Sequence, residues 1–258
     1  CIRDSFWRAC VNLVVDIGNT SIKYSSTTDI GIKEVLQLKY SKKKPIFIIK
    51  FLKNQFKTHK IIYICSVVSE IDKIIKENLK TYRKDLIFIN KKKLTSLVHR
   101  RVNLSQLGND RIINVLSAIK IYPKSKSFII IDLGTATTLD IVINYKYFGG
   151  VILPGRTTSY ENLISLASGI KNMKFSNDTN ILGKNTSQAL MSGFNIGYKL
   201  MIESYLKLIK TSYKRNFKVI FTGGYASNII NKKTKFIYRE DLTLLGTSFY
   251  QNFLNEKH

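Results

Sequence analysis

Short apolar, β-branched runs punctuate this chain, and what breaks them decides how they fold. Val11–Tyr24 is an apolar run interrupted by Gly18, Asn19, Thr20 and Ser21 before a second run begins, which predicts two strands joined by a tight turn. Ile32–Lys39 reads as a third strand. Pro45 then stops the chain, and Ile46–Lys57 sets Ile46, Ile49 and Phe56 between Lys50, Lys53 and Lys57, the spacing of an amphipathic helix. Lys60–Ser66 is a buried-type strand. A helix starts at Ser69, with Asp72 in its first turn, and runs to about Tyr82; Leu86–Ile89 is a short strand. Lys91–Gln106 is a polar, basic connector without a period. Beyond it, Ile112, Val115, Leu116 and Ile119 mark a helix. Ser127–Ile143 is again two runs around a break at Gly134, and Tyr147–Val151 should be a third strand. Gly149–Gly155 reads as a side-chain-poor turn. Helices are expected over Ser159–Ser168, over Ser187–Leu208 (where Gly193 and Gly197 imply close packing) and over Asp241–Phe253. A strand at Phe217–Phe221 leads into the Thr222-Gly223-Gly224 turn, and Lys174–Leu182 is loop-like.

The two interrupted runs are one motif used twice. In each, an aspartate closes the first strand (Asp16, Asp132), a glycine comes two residues later (Gly18, Gly134), and small or hydroxylated residues make the turn. A turn built from Gly134, Thr135, Ala136, Thr137 and Thr138 has no bulk, so its N–H groups and hydroxyls can line an anion such as a phosphate. An aspartate at its edge suits a hard cation beside that anion. Taken alone, either copy could be an ordinary hairpin. The recurrence half a chain apart points instead to two similar lobes, each opening with a phosphate-holding hairpin. Two such hairpins facing one another across a cleft are the pattern of the actin-like ATPase and sugar-kinase superfamily, which this chain resembles.

Composition sharpens this only slightly. The 258 residues can bury a full core, and the apolar fraction of 44% is that of a globular protein. No apolar window is long enough to span a membrane. Cys1–Val15 carries Arg3, Asp4 and Arg8 and does not read as a signal peptide, so the expectation is a cytoplasmic protein without a membrane partner. Three scattered cysteines indicate neither a disulfide framework nor a metal cluster. The net charge of +25 invites nucleic acid. Lysine, however, is spread through helices and loops alike, and the runs Lys42–Lys44 and Lys91–Lys93 read as solvated loop ends, so no nucleic-acid partner is expected.

The remaining chemistry lies at Gly108-Asn109-Asp110-Arg111. Either Asn109 or Asp110 could cap the helix that begins there. Arg111 gains nothing from a helix N-terminus, and an anionic ligand explains it better. Together with Asp16-Ile-Gly-Asn-Thr, Asp132-Leu-Gly-Thr-Ala-Thr-Thr-Leu-Asp140, Gly149-Gly-Val-Ile-Leu-Pro-Gly155, Gly183-Lys-Asn-Thr186 and Thr222-Gly-Gly224, this segment completes a set that resembles the type III pantothenate kinase family over nearly the whole chain from about Asn12.

The resemblance implies an α/β fold of two ribonuclease-H-like lobes, divided here as residues 1–106 (1–11 being extra or disordered) and 107–258. It implies ATP-dependent phosphorylation of pantothenate, the first step of coenzyme A synthesis, by a homodimer using ATP, magnesium and a monovalent cation (potassium or ammonium). Position by position, Asp16, Ile17, Gly18, Asn19, Thr20, Ser21, Ile22 and Lys23 would form the first ATP phosphate loop, with Asp16 near magnesium. Asp132 would hold the monovalent cation, Thr135 the phosphates, and Gly223 and Gly224 the adenosine. Asp110 would be the general base. Gly108, Asn109, Asp110 and Arg111 would hold pantothenate, with Arg111 on its carboxylate, and Thr186 would reach the neighbouring subunit's pantothenate. Arg101 and Leu104 stand where the family has a substrate-contacting Tyr and a Pro, and the family's Trp-Arg element is not evident between Ile32 and Tyr40. Two other readings stay open: a catalytically weak relative with an accessory or regulatory role, and a different phosphotransferase or phosphatase of the superfamily.

Overall fold

The computed structural model describes residues 11–29, 31–42, 44–170, 173–176, 180–226 and 236–255. Contacts divide the chain into two compact units, one running to Lys124 and resuming at Asp241, the other spanning Ser125–Glu240. This differs from the division after residue 106 drawn from the sequence. Helix α3 (Asn109–Ile121) and the last helix, α7 (Leu242–Asn255), pack on each other within the first unit. There Thr243 donates to Asn114 Oδ1 at 2.9 Å, and Gly246 lies directly against the Ile113 backbone.

The first unit is built on β1 (Leu13–Ile17), β2 (Ser21–Thr28), β3 (Gly31–Ile32), β4 (Leu36–Lys39), β5 (Ile62–Ser66) and β6 (Leu86–Phe88). Their order is β3-β2-β1-β5-β6, with β4 also on β2. The third run is thus two short strands rather than the single one expected. Helices α1 (Ile46–Gln55) and α2 (Ser69–Asn78) cover one face. Ile48, Ile49, Leu52, Ile71 and Ile75 from these helices pack against Leu13, Val15, Ile17 and Ile22. Glu70 and Asp72 at the start of α2 and Lys76 at its end suit the helix dipole. Because side chains alternate along a strand, Asp16 projects from the face opposite that core.

The second unit repeats the plan. Strands β7 (Phe128–Leu133), β8 (Ala136–Ile143), β9 (Lys146–Pro154), β10 (Lys218–Thr222) and β11 (Ile237–Tyr238) lie in the order β11-β10-β7-β8-β9. In both sheets the first strand pairs antiparallel with the second and parallel with a later one. Ile129, Ile131 and Leu133 enter a core shared with Tyr198, Ile202, Leu206 and Ile209 of helix α6 (Tyr198–Tyr213), which leaves Asp132 on the opposite face.

One expectation is corrected here. Gly149–Pro154 is not a turn but the body of β9, paired with β8 throughout. As an edge strand β9 tolerates proline and glycine, and a register shift at Ile141/Val142 accommodates Gly149 at φ +135°. Helix α4 (Arg156–Leu166) starts immediately after Gly155, earlier than its periodicity suggested. The long helix is also not uniform. Helix α5 (Thr186–Met191) passes through a π-helical turn, Ser192–Gly197, into α6.

Candidate active site

In the first unit the site residues gather where β1 and β5 end. The β1–β2 turn closes with Gly18 N–H donating to Ser21 O at 3.0 Å. Two side chains beyond it hold the turn: Tyr40 donates its hydroxyl to Gly18 O at 2.7 Å, and Lys42 donates to Asn19 Oδ1 at 2.7 Å. Asn19 and Thr20 are exposed, Asp16, Gly18, Ser21 and Lys23 are half-buried, and Asp16 pairs in register with Lys23 and Cys65. Ile17 and Ile22 are fully buried in the core, so only their backbone could meet a phosphate.

The start of α3 is pinned to the same strand ends. Asn109 Nδ2 donates to Ser66 O at 3.1 Å, and Ser66 is the register partner of Ile17. Asp110 Oδ1 accepts from the Arg111 amide at 2.8 Å, and its carboxylate folds back so far that a side chain at Gly108 would collide with it. Lys91 Nζ donates to Ser105 O and Leu107 O, both at 2.6 Å, and so cinches the segment that leads into Gly108. Beneath lies the fully buried Cys65, whose thiol is pushed well above its ordinary value by burial and then by Asp16, Asp110 and Asp72. Three carboxylates thus lie within electrostatic reach of one buried thiol. Burial likewise raises Asp72, against the opposing effects of a hydrogen bond to Ser66 and of Lys76.

In the second unit backbone contacts dominate. Gly134 N–H donates to Ala136 O at 3.1 Å, and Thr135 is exposed at the tip. Gly155 N–H and the Thr158 hydroxyl both donate to Thr135 O, at 3.1 and 2.8 Å. The Thr222–Gly223 turn lies against Asp132 from the other side. Thr222 pairs with Asp132 in register, Gly223 has φ +89°, and a Cβ there would lie 2.6 Å from the Leu133 backbone. Tyr225 N–H then donates to Leu133 O at 3.2 Å. Gly224 is exposed.

The structure therefore groups Asp16, Gly18–Ser21 and Asn109–Arg111 in one unit, and Asp132, Thr135, Gly223 and Gly224 in the other. Arg101 is exposed, its amide 3.4 Å from His99 Nδ1, and no hydrogen bond or ion pair among the described residues joins it to Gly108–Arg111. Thr186 is exposed at the start of α5, next to Asn185, whose side chain caps that helix by accepting from Gln188 N–H. Sequence reasoning missed Tyr40, Lys42 and Lys91. Both lysines open the basic runs read as solvated loop ends, and each instead fastens a site loop.

Comparison with known proteins decides the family. The family model for type III pantothenate kinase matches residues 12–208. The chain belongs to this family. A type III pantothenate kinase of Pelagibacter ubique is 35% identical over 242 residues, covering 91% of this chain and 96% of that protein. One of Borreliella burgdorferi is 30% identical over 256 residues, covering 95% and 96%. The six ordered motifs thus sit in a type III pantothenate kinase scaffold. Among solved structures, a Campylobacter jejuni protein described as a Baf family transcriptional activator superposes with a TM-score of 0.61 at 24% identity, covering 95% of this chain and 98% of that one. Component A of the Acidaminococcus fermentans (R)-2-hydroxyglutaryl-CoA dehydratase gives 0.52 at 12%, covering 95% and 99%. At such identities these likenesses speak for the fold alone. It is the mixed α/β, two-lobed actin-like fold.

Proposed function

We propose that this chain transfers the γ-phosphoryl group of ATP to the primary hydroxyl of pantothenate, giving 4′-phosphopantothenate in the first step of coenzyme A synthesis. The observation that carries this is the start of α3: an aspartate and an arginine on one helical turn, fastened by Asn109 to the strand that pairs with the Asp16 strand. Phosphoryl transfer asks mainly for positioning and charge stabilisation. Asp110 accepts the proton of the attacking hydroxyl, and Arg111 holds the acceptor's carboxylate through charge-assisted hydrogen bonds. Asn19 and Thr20 in one unit and Thr135 in the other offer exposed donors for phosphate oxygens. Gly224, where a Cβ would meet nothing within 4 Å, leaves room for a flat ring, and Gly223 sets its backbone against Leu133.

Among the described residues no group of three or more His, Cys, Asp or Glu gathers to hold a metal. Asp16 and Asp132, each half-buried at the end of its strand, fit magnesium and a monovalent cation that take most of their oxygens from phosphate and water. Those ions would neutralise phosphate charge. No described helix is long and apolar enough to cross a membrane. We place the reaction in the cytoplasm, where ATP and pantothenate meet.

A homodimer fits the surface of the second unit. Ile152, Leu163, Leu166, Ile181 and Leu182 are exposed there, and a Cβ at Gly193 or Gly197 would meet nothing within 4 Å, so those glycines leave an open face rather than an internal contact. Thr186 lies on the same unit.

A coupled ADP-release assay with pantothenate and a panel of other hydroxylated acids tests the proposal. Turnover with pantothenate that Asp110→Asn abolishes supports it, and ATP turnover confined to another acceptor refutes it.

A further inference from the structure

Arg156, the first residue of α4, is only 5% exposed, and among the described residues no carboxylate pairs with it. Burying a cation without a counter-charge is costly unless other groups compensate. The compensation is aromatic. The guanidinium carbon lies 3.4 Å from the ring centroid of Tyr225 and 4.1 Å from that of Phe175, so the flat cation is held between two π faces. Its Nη1 donates to Asn195 Oδ1 in the π-helical turn, while Nε has no partner. Tyr160, one helical turn further along α4, packs edge-on against Phe175 with centroids 4.8 Å apart. Tyr198 meets Tyr225 at 6.1 Å. An apolar side chain would fill this slot without the cost of desolvation, so the charge and planarity of Arg156 call for a reason.

The two segments that Arg156 joins supply one. Its neighbour Gly155 is bonded to the Thr135 carbonyl at the tip of the second hairpin, and Tyr225 is bonded to Leu133 of the same hairpin. Between Tyr225 and that hairpin lies Gly223, held at positive φ against the Leu133 backbone. We infer that Arg156 is a positioning residue for nucleotide binding: by clamping the Tyr225 ring it fixes the Gly223–Gly224 backbone beside Asp132, without touching the nucleotide itself. This rests on the reading that Thr222–Gly224 borders the adenosine. With the clamp present, the turn is ordered before the nucleotide arrives, and binding does not bear the cost of ordering it. A lysine cannot substitute, because its ammonium is a hydrated point charge rather than a stacking plane.

The test is titration calorimetry with ADP, alongside thermal melting of each variant. Arg156→Met is expected to fold and to weaken ADP about ten-fold, leaving the Michaelis constant of the acceptor within two-fold. Tyr225→Leu should do the same, and the double variant should be no worse than either, because both remove one contact. Tyr225→Phe, which keeps the ring, should bind ADP like the parent. Arg156→Lys is the milder variant if Arg156→Met does not fold, and it should still weaken ADP several-fold. A folded Arg156→Met or Arg156→Lys with parental ADP affinity, or strictly additive losses in the double variant, would overturn the inference. The readout is ADP binding, so it fails or holds independently of which acceptor the chain phosphorylates.

Discussion

The two D-x-G hairpins share strand order and small-residue turns, yet their registers differ by one residue (Asp16 pairs with Lys23, Asp132 with Thr138) and they are fastened in different ways. The Asp16 hairpin is held at its tip by side chains, Tyr40 on Gly18 and Lys42 on Asn19. The Asp132 hairpin is held mostly by backbone, through Gly155, Gly223 and Tyr225, with the Thr158 hydroxyl added on Thr135 O. The parallel strand beside each makes the larger difference. Beside Asp16, β5 ends at Ser66, whose carbonyl anchors Asn109 and with it Asp110 and Arg111. Beside Asp132, β10 ends in Thr222–Gly223, which brings bare backbone rather than a charged side chain. On the proposed reading, one duplicated scaffold yields two phosphate-holding turns, one with the acceptor site added at the end of β5 and the other with the adenosine site added at the end of β10. The hairpins are alike, and the groups gathered at the ends of β5 and β10 set the two apart.

The largest expected effect falls on the acceptor end. Asp110→Asn keeps size and most hydrogen bonding but removes the proton acceptor, and turnover should drop roughly a hundred- to ten-thousand-fold. ADP affinity should stay within about two-fold by calorimetry. Weakened ADP binding would break the division between the ends. Next is Gly223→Ala. The new Cβ must displace the Leu133 backbone at a φ that alanine resists, a strain of about 1–3 kcal/mol. Melting should fall accordingly, and ADP should bind about ten-fold more weakly, with the acceptor's Michaelis constant little changed. Tyr40→Phe removes one hydrogen bond, worth about 1 kcal/mol, from the side-chain-held turn. A few-fold rise in the Michaelis constant for ATP is expected in steady-state assays, and no change would mean that this turn is as self-supporting as the other.

The smallest effect concerns Asp72. Its pKa is raised by burial, so the charged form is the disfavoured one and the native state prefers the proton. The stability tied to that preference is present at acid pH and lost as pH rises through the native pKa. Asp72→Asn should therefore melt about a degree or two higher than the parent at pH 7, with the gap closing as the pH falls below the ordinary carboxylate range. A gap independent of pH would contradict this.

Much of the fold was legible from spacing alone. The β-branched runs around Gly18 and Gly134 identify both hairpins, because alternation and a small-residue break leave few other folds for them. The start of α3 was legible for a similar reason, since an arginine at a helix N-terminus lacks a local role. Gly149–Pro154 misled because glycine and proline signal turns wherever an edge strand does not excuse them. Lys42 and Lys91 were hidden within charge runs: a lysine that reaches an oxygen far along the chain looks, in sequence, like any solvated one. Arg156 carried no local sign at all, since its partners Phe175, Asn195 and Tyr225 come from three distant segments. The grouping of α3 with α7 was likewise a matter of long-range packing, seen where Asn114 meets Thr243 and Gly246 meets Ile113.

The division of labour is tested most directly by measuring pantothenate and ADP dissociation constants on Arg111→Gln and Gly223→Ala side by side. Losing a charge-assisted contact at Arg111 should weaken pantothenate about ten-fold or more and leave ADP within two-fold. Gly223→Ala should do the reverse. Variants that weaken both ligands to the same degree, or that exchange these effects, would contradict the assignment of the acceptor to the end of β5 and of the adenosine to the end of β10.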